Sequence, residues 1–280
     1  MVAVIINRHQ IYEQSILNDP FYGTIIGYIE EELNKNNYYM LFYSASNIED
    51  IFNMVMTWNV DGAILISMPK RSSEKINYMI KKPVVCIDPV EDVSEKTEVA
   101  YISLDDQKGG WLMTKHLIEL GYEAIHICGG TLQFGVDLQR VRGAQRALRE
   151  SGKEKTVQVI PHSAGISYPE RQKFYEYMYK HYPYNKKTAL FCLADRYAVE
   201  ASTYLQERGV VIPDEIGLAG FDGISYIAKN SFPRLTTIRQ NVYQKASVAV
   251  REIIKAVEEP EYKMKDHLID VSLVVRQSAI

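Results

Sequence analysis

Apolar and polar positions follow two rhythms along this chain. Continuous runs rich in Val, Ile, Leu, Ala and Cys recur at 2–6, 39–43, 62–66, 84–88, 99–104, 124–128, 157–160, 189–193, 217–221 and 268–275. Such runs read as strands buried on both faces. Between them lie stretches of helical period. In 21–35, Ile25, Ile29 and Leu33 recur at i, i+4 and i+8 and fall on one helix face. A second helix, 106–120, follows the capping residue Asp105 and stops before Gly121, and a third is predicted over 241–258. Strands alternating with helices predict an α/β fold of parallel sheets flanked by helices. About ten strands are more than one twisted sheet usually holds, so two sheets are expected, with a break near Ser103-Leu104-Asp105.

Composition narrows the class. The 280 residues exceed the usual single-domain size, and 46% hydrophobic with 24% charged residues is ordinary globular content. A net charge of −3 argues against a self-sufficient nucleic-acid binder, and the pairs Lys70-Arg71, Lys81-Lys82 and Lys186-Lys187 read as solvated loop charges. Cys86, Cys128 and Cys192 each sit in an apolar run, which suggests packed, reduced thiols in a cytoplasmic protein. The opening Met-Val-Ala-Val-Ile-Ile reads as a strand, not a signal peptide, and no run is long enough to span a membrane. The chain holds no phosphate-loop, dinucleotide, nucleophile-elbow or HExxH motif. His126 and Cys128, at i and i+2, lack a second ligand pair. Neither an enzyme nor a metal or other cofactor is expected.

The densest signal lies at 211–223, where Val-Ile-Pro-Asp-Glu-Ile leads into Gly-Leu-Ala-Gly-Phe-Asp-Gly, and at 232–240, Phe-Pro-Arg-Leu-Thr-Thr-Ile-Arg-Gln. The first places Asp222 where a strand gives way to a loop, the edge at which open α/β sheets bind ligands. A carboxylate there can accept from two adjacent hydroxyls, or simply cap the turn at Gly223. Asp195 and Asp88 also end apolar runs, either on the same rim or as helix N-caps. Arg140 is expected to open a helix after the loop 129–135. Its guanidinium could hold a ligand or form a structural ion pair with an Asp such as Asp195. Of Phe21 and Tyr22, one is expected to present a ring to a ligand and the other to join the core.

Together the two segments resemble the effector-binding core of the LacI/GalR family of bacterial transcriptional regulators, and the likeness covers nearly the whole chain. Ser103-Leu-Asp-Asp-Gln-Lys-Gly-Gly110 with 114–122, Gly129-Gly130 with Arg140-Val-Arg-Gly143 and Ala147-Leu148, and Leu193-Ala194-Asp195 with Ala198 match further family patterns. Asp106 replaces the usual Asn, Ala194 replaces the Asn that commonly precedes Asp195, and the first loop, Asn7 to Asp19, is longer. The resemblance implies a two-lobed, periplasmic-binding-protein-like fold, each lobe a parallel sheet flanked by helices, with a ligand crevice between lobes. Three crossovers would give an N-terminal lobe of 1–103 with 238–267 and a C-terminal lobe of 104–237 with 268–280. Asp222 and Arg140 would contact the effector and Tyr22 would stack on it. Phe134 and Val136 would vary with the ligand, and Tyr168 is a further choice. The implied function is a sugar-responsive effector-binding and dimerisation domain whose lobes close on the ligand. Homodimer contacts would include the apolar stretch 48–58, and operator DNA would be reached only through an N-terminal helix-turn-helix that this chain lacks. The alternative reading is a periplasmic sugar-binding protein of a transport system.

Overall fold

The computed structural model describes residues 1–8, 15–90 and 98–280, so part of the first loop lies outside the described residues. The chain forms two compact units: unit 1 is Met1–Leu104 with Asn241–Ile269, and unit 2 is Asp105–Gln240 with Asp270–Ile280. The divisions fall one to three residues later than the boundaries expected from sequence.

Unit 1 is built on strands β1 (Val2–Asn7), β2 (Met40–Ala45), β3 (Gly62–Ile66), β4 (Val84–Ile87) and β5 (Val99–Leu104), joined late in the chain by β11 (His267–Ile269). The order is β11-β5-β4-β3-β1-β2, and every pairing is parallel. Helices α1 (Pro20–Lys35), α2 (Ile48–Val55), α3 (Lys70–Ile80) and α9 (Val242–Glu258) accompany it. Helix α1 starts where Asp19 Oδ1 accepts from the amides of Phe21 and Tyr22, at 3.0 and 3.3 Å, with Pro20 at its first position. Its stripe Ile25, Ile29 and Leu33 is fully buried. The stretch 48–58 is largely used within the unit: Ile51, Phe52 and Val55 are buried, Ile48 and Trp58 pack on the same core, and Met56 is exposed. Little of it is therefore left for a partner.

Unit 2 holds β6 (Ala124–Gly129), β7 (Gln158–Ser163), β8 (Thr188–Cys192), β9 (Gly217–Asp222), β10 (Thr236–Gln240) and β12 (Val271–Val274), in the order β12-β10-β9-β8-β6-β7. Strand β12 alone runs antiparallel, against β10. The single strand expected at 268–275 is thus two strands in two sheets, with Asp270 between them. The apolar run is continuous because both halves are sheet, so periodicity cannot reveal the change of partner. Helices α4 (Asp106–Glu119), α5 (Gly135–Ser151), α6 (Tyr168–Lys180), α7 (Asp195–Gln206) and α8 (Ser225–Asn230) complete the unit.

Two glycines set the closest helix contact. A Cβ on Gly110 would lie 1.9 Å from the carbonyl oxygen of Arg140, and one on Gly143 would lie 1.9 Å from that of Gln107. Helices α4 and α5 therefore meet backbone to backbone, and this brings Arg140 beside the first turn of α4. The three cysteines are free and buried, Cys86 in the core of unit 1 and Cys128 and Cys192 in that of unit 2. Among the described residues no helix is long and apolar enough to cross a membrane.

Candidate functional site

In unit 2 the carboxyl ends of β8, β9 and β10 converge on a cluster of charges. Asp222 ends β9 with a positive φ of 117°, and Gly223 follows at 66°. A Cβ on Gly223 would lie 2.5 Å from Arg239 Cα, so only glycine fits that turn. Asp222 Oδ1 accepts from Gln240 Nε2 at 2.8 Å, at the end of β10. A non-glycine residue held at such a φ costs on the order of 1–3 kcal/mol and is a mark of functional positions.

Asp195 holds this turn in place. It is the first residue of α7, but it does not cap its own helix as the sequence allowed. Its Oδ2 accepts from the Ile224 amide at 3.0 Å and its Oδ1 from Thr237 Oγ1 at 2.5 Å. Gly220 permits this approach, since a Cβ there would meet Asp195 Oδ1 at 2.4 Å. Burial first, and then the nearby Asp222 charge, push the Asp195 carboxyl well above the usual range.

Arg140 sits inside α5, which begins at Gly135, so it does not open the helix. It is paired, but with Asp106 and not with Asp195: Nε donates to Asp106 Oδ1 at 2.8 Å, and both side chains are under 10% exposed. Nη1 donates to the Leu193 carbonyl at 2.5 Å, and the guanidinium lies 3.6 Å from the centre of the Phe221 ring. Burial disfavours the cation, but Asp106, Asp222 and Asp137 outweigh it and hold the Arg140 pKa raised. Asp137 accepts from the Gly130 amide at 2.8 Å and so closes the loop at 129–135. Phe134, before α5, is exposed, and Val136, in its first turn, is half-buried. Tyr168 begins α6 as an exposed side chain, two residues after Ile166, which faces the turn at Gly130.

The remaining candidates cluster in unit 1. Asp88 follows β4 at φ 50°, and no helix starts there for it to cap. Its carboxylate instead meets Lys245 Nζ at 2.8 and 3.0 Å, and the lysine side chain is 1% exposed. The Phe21 ring lies 5.4 Å from the same ammonium, and the Phe21 and Tyr22 rings meet edge to face at 5.3 Å. Tyr22 Oη and Ser67 Oγ are 3.0 Å apart. Both rings are half-buried, so neither joins the core. Phe21 is occupied by the lysine charge and Tyr22 by a hydroxyl partner.

The structure thus groups Arg140, Asp195 and Asp222 in one unit and Phe21, Tyr22 and Asp88 in the other. Sequence reasoning did not single out Asp106, Phe221, Thr237, Gln240 or Lys245 as site residues. Gln240 and Thr237 stand in the 232–240 segment, and Asp106 departs from the family pattern, so those signals were present. Arg8, after β1, keeps its Nε buried with no hydrogen-bond partner among the described residues.

Comparison with known proteins decides the family. The model of the periplasmic binding protein-like domain matches residues 114–279. The chain belongs to that family, and within it to the LacI/GalR type. The HTH-type transcriptional regulator YvdE of Bacillus subtilis is 25% identical over 99% of this chain and 84% of its own length. The ribose operon repressor of Haemophilus influenzae is 26% identical over 93% of this chain and 78% of its own. A LacI-family regulator from Enterococcus faecium, solved with bound ribose, superimposes with a TM-score of 0.84 at 21% identity, covering 100% of this chain and 98% of that one. These relatives are regulators. The chain is accordingly an effector-binding regulatory domain and not a transport protein.

Proposed function

We propose that this domain binds a sugar or sugar derivative and passes its occupancy to operator DNA as a homodimer in the cytoplasm, without catalysis. The reading is carried by the rim of unit 2, where Asp222 and Arg140 stand together at the carboxyl end of β9. A carboxylate beside a guanidinium offers both acceptors and donors to neighbouring hydroxyls. A ribose-bound relative and a ribose operon repressor support a sugar as the ligand. Phe21, Tyr22, Asp88, Phe134, Val136 and Tyr168 are proposed as further ligand-binding residues. Asp195 is proposed to act by holding the Asp222 turn. Effector binding would shift the conformational population of the domain and so change the DNA affinity of a regulator that carries a helix-turn-helix.

A thermal-shift screen over sugars, followed by calorimetry on Asp222→Ala and Arg140→Ala, tests the reading. Each truncation leaves polar groups of the ligand unpaired, at about 2–4 kcal/mol, or roughly 30- to 1000-fold in affinity. Unchanged affinity in both variants would place the site elsewhere. Light scattering gives the assembly state: a concentration-independent mass of 32.1 kDa would exclude the homodimer.

A further inference from the structure

Arg140, the buried arginine of this rim, stands among carboxyl groups and is paired with Asp106 at 2.8 Å. Asp106, Asp137 and Asp222 all act on Arg140, and Asp195 in turn feels Asp222. Of the arginines, Arg140 and Arg171 are the buried ones among the described residues. Arg171 is committed elsewhere, to Glu200 at 2.7 and 2.9 Å. Arg276, half-buried, feels Asp195 but donates to the Leu235 carbonyl at 2.5 Å. Arg140 itself is partly spent: Asp106 holds Nε, Leu193 holds Nη1, and Phe221 covers a face. A phosphate or carboxylate arriving there meets a guanidinium already neutralised and finds Asp222 beside it. A hydroxyl meets the remaining N–H groups as donors and Asp222 as acceptor, with no charge to match.

We propose that Asp106 sets the charge selectivity of the effector site, so that the rim of unit 2 accepts uncharged, hydroxyl-bearing ligands and rejects phosphorylated or acidic ones. The inference rests on the sugar reading above and narrows it. The resemblance makes the position notable, because the related pattern carries Asn where this chain has Asp106. Asn would keep one acceptor oxygen for Arg140 Nε and leave the guanidinium its full charge. Asp106 is therefore a positioning and charge-setting residue that need not touch the ligand.

The test uses matched pairs: ribose with ribose 5-phosphate, and glucose with glucose 6-phosphate and glucuronate. Each is titrated by calorimetry into the unaltered domain and Asp106→Asn. In the unaltered domain the neutral member of a binding pair should be at least about 30-fold tighter, since like charges a few ångströms apart interact strongly at low effective dielectric. Asp106→Asn should leave the neutral sugar within about 3-fold and strengthen the anionic member by roughly 10-fold or more. If that variant does not fold, Asp106→Ser, which is neutral and keeps an acceptor oxygen for Arg140 Nε, is titrated in its place with the same expected changes. A phosphorylated member binding as tightly as its neutral partner, or a ratio unmoved by Asp106→Asn, overturns the inference while the sugar reading stands. Anion affinity lost in Arg8→Gln but unmoved in Asp106→Asn also overturns it, by placing the anion on unit 1. Binding by no member of any pair and by no sugar of the thermal-shift screen removes the sugar reading itself, and this inference with it.

Discussion

Replacing Gly110 by Ala should unseat Arg140. The added methyl would stand 1.9 Å from the Arg140 carbonyl oxygen, and the next nearest atoms are the Arg140 carbonyl carbon at 2.7 Å and Cα at 2.9 Å. All three are backbone, so no side-chain rotation relieves the contact. An ordinary separation of about 3.5 Å requires α4 and α5 to part by roughly 1.5 Å. Overpacking of this kind costs about 1–3 kcal/mol and more where backbone must move, whereas Ala in place of Gly returns only about 1 kcal/mol of helix propensity. A net loss of about 3 kcal/mol is expected, seen as a melting temperature lower by roughly 6–12 °C. Gly27 on α1 supplies the control: it is exposed, nothing lies within 4 Å of its Cβ position, and Ala there should raise stability by about 0.5–1 kcal/mol. Calorimetric melting of both variants checks the pair. Gly110→Ala melting within about 2 °C of the unaltered domain would refute the backbone-contact reasoning and the placement of Arg140 that depends on it.

Lys245→Met should cost about 3–5 kcal/mol in urea unfolding by leaving Asp88 without its buried partner, and adding Asp88→Asn, which removes the stranded charge and tolerates the φ of 50° there, should recover part of that; a double variant no better than the single one would contradict the pairing. His126 has its pKa lowered to about 4 by burial first and then by His162, so the fold favours its neutral form. Its contribution is intact above the unfolded value near 6.5 and is lost as pH falls from there toward 4, at about 1–2 kcal/mol after allowing for partial exposure. His126→Gln should therefore lose less stability than the unaltered domain between pH 7.5 and 4.5, and equal losses would count against this.

The local features were legible in the sequence. The stripe Ile25, Ile29 and Leu33 needed only helical period, Asp105 needed only its position before α4, and Asp222 needed only the end of an apolar run. The partners of the charged residues were not legible, because they are brought together across the fold. Lys245 interrupts an otherwise apolar helix face, and only the sheet register places Asp88 beneath it. Arg140 follows the glycine-bounded loop 129–135, which hides the helix start in sequence; α5 begins at Gly135, and 135–139 are half-buried in its first turns. The change of sheet at Asp270 left no mark in hydropathy, since a strand edge looks the same in sequence whichever sheet it joins.

The order in which strands leave the ribosome differs from the order in which they pair. Strand β10 lies between β9 and β12, and β12 is made only after the chain has returned to unit 1 for α9 and β11. Until residues 271–274 emerge, β10 presents an unpaired edge, the kind of surface that recruits another strand from a neighbouring nascent chain. Unit 1 also waits, because α9 covers β3, β4 and β5. The Ser278 side chain then closes unit 2 by donating to the Leu218 carbonyl and accepting from the Thr236 amide. Neither sheet can finish folding during most of translation, and chaperone dependence should concentrate on that interval.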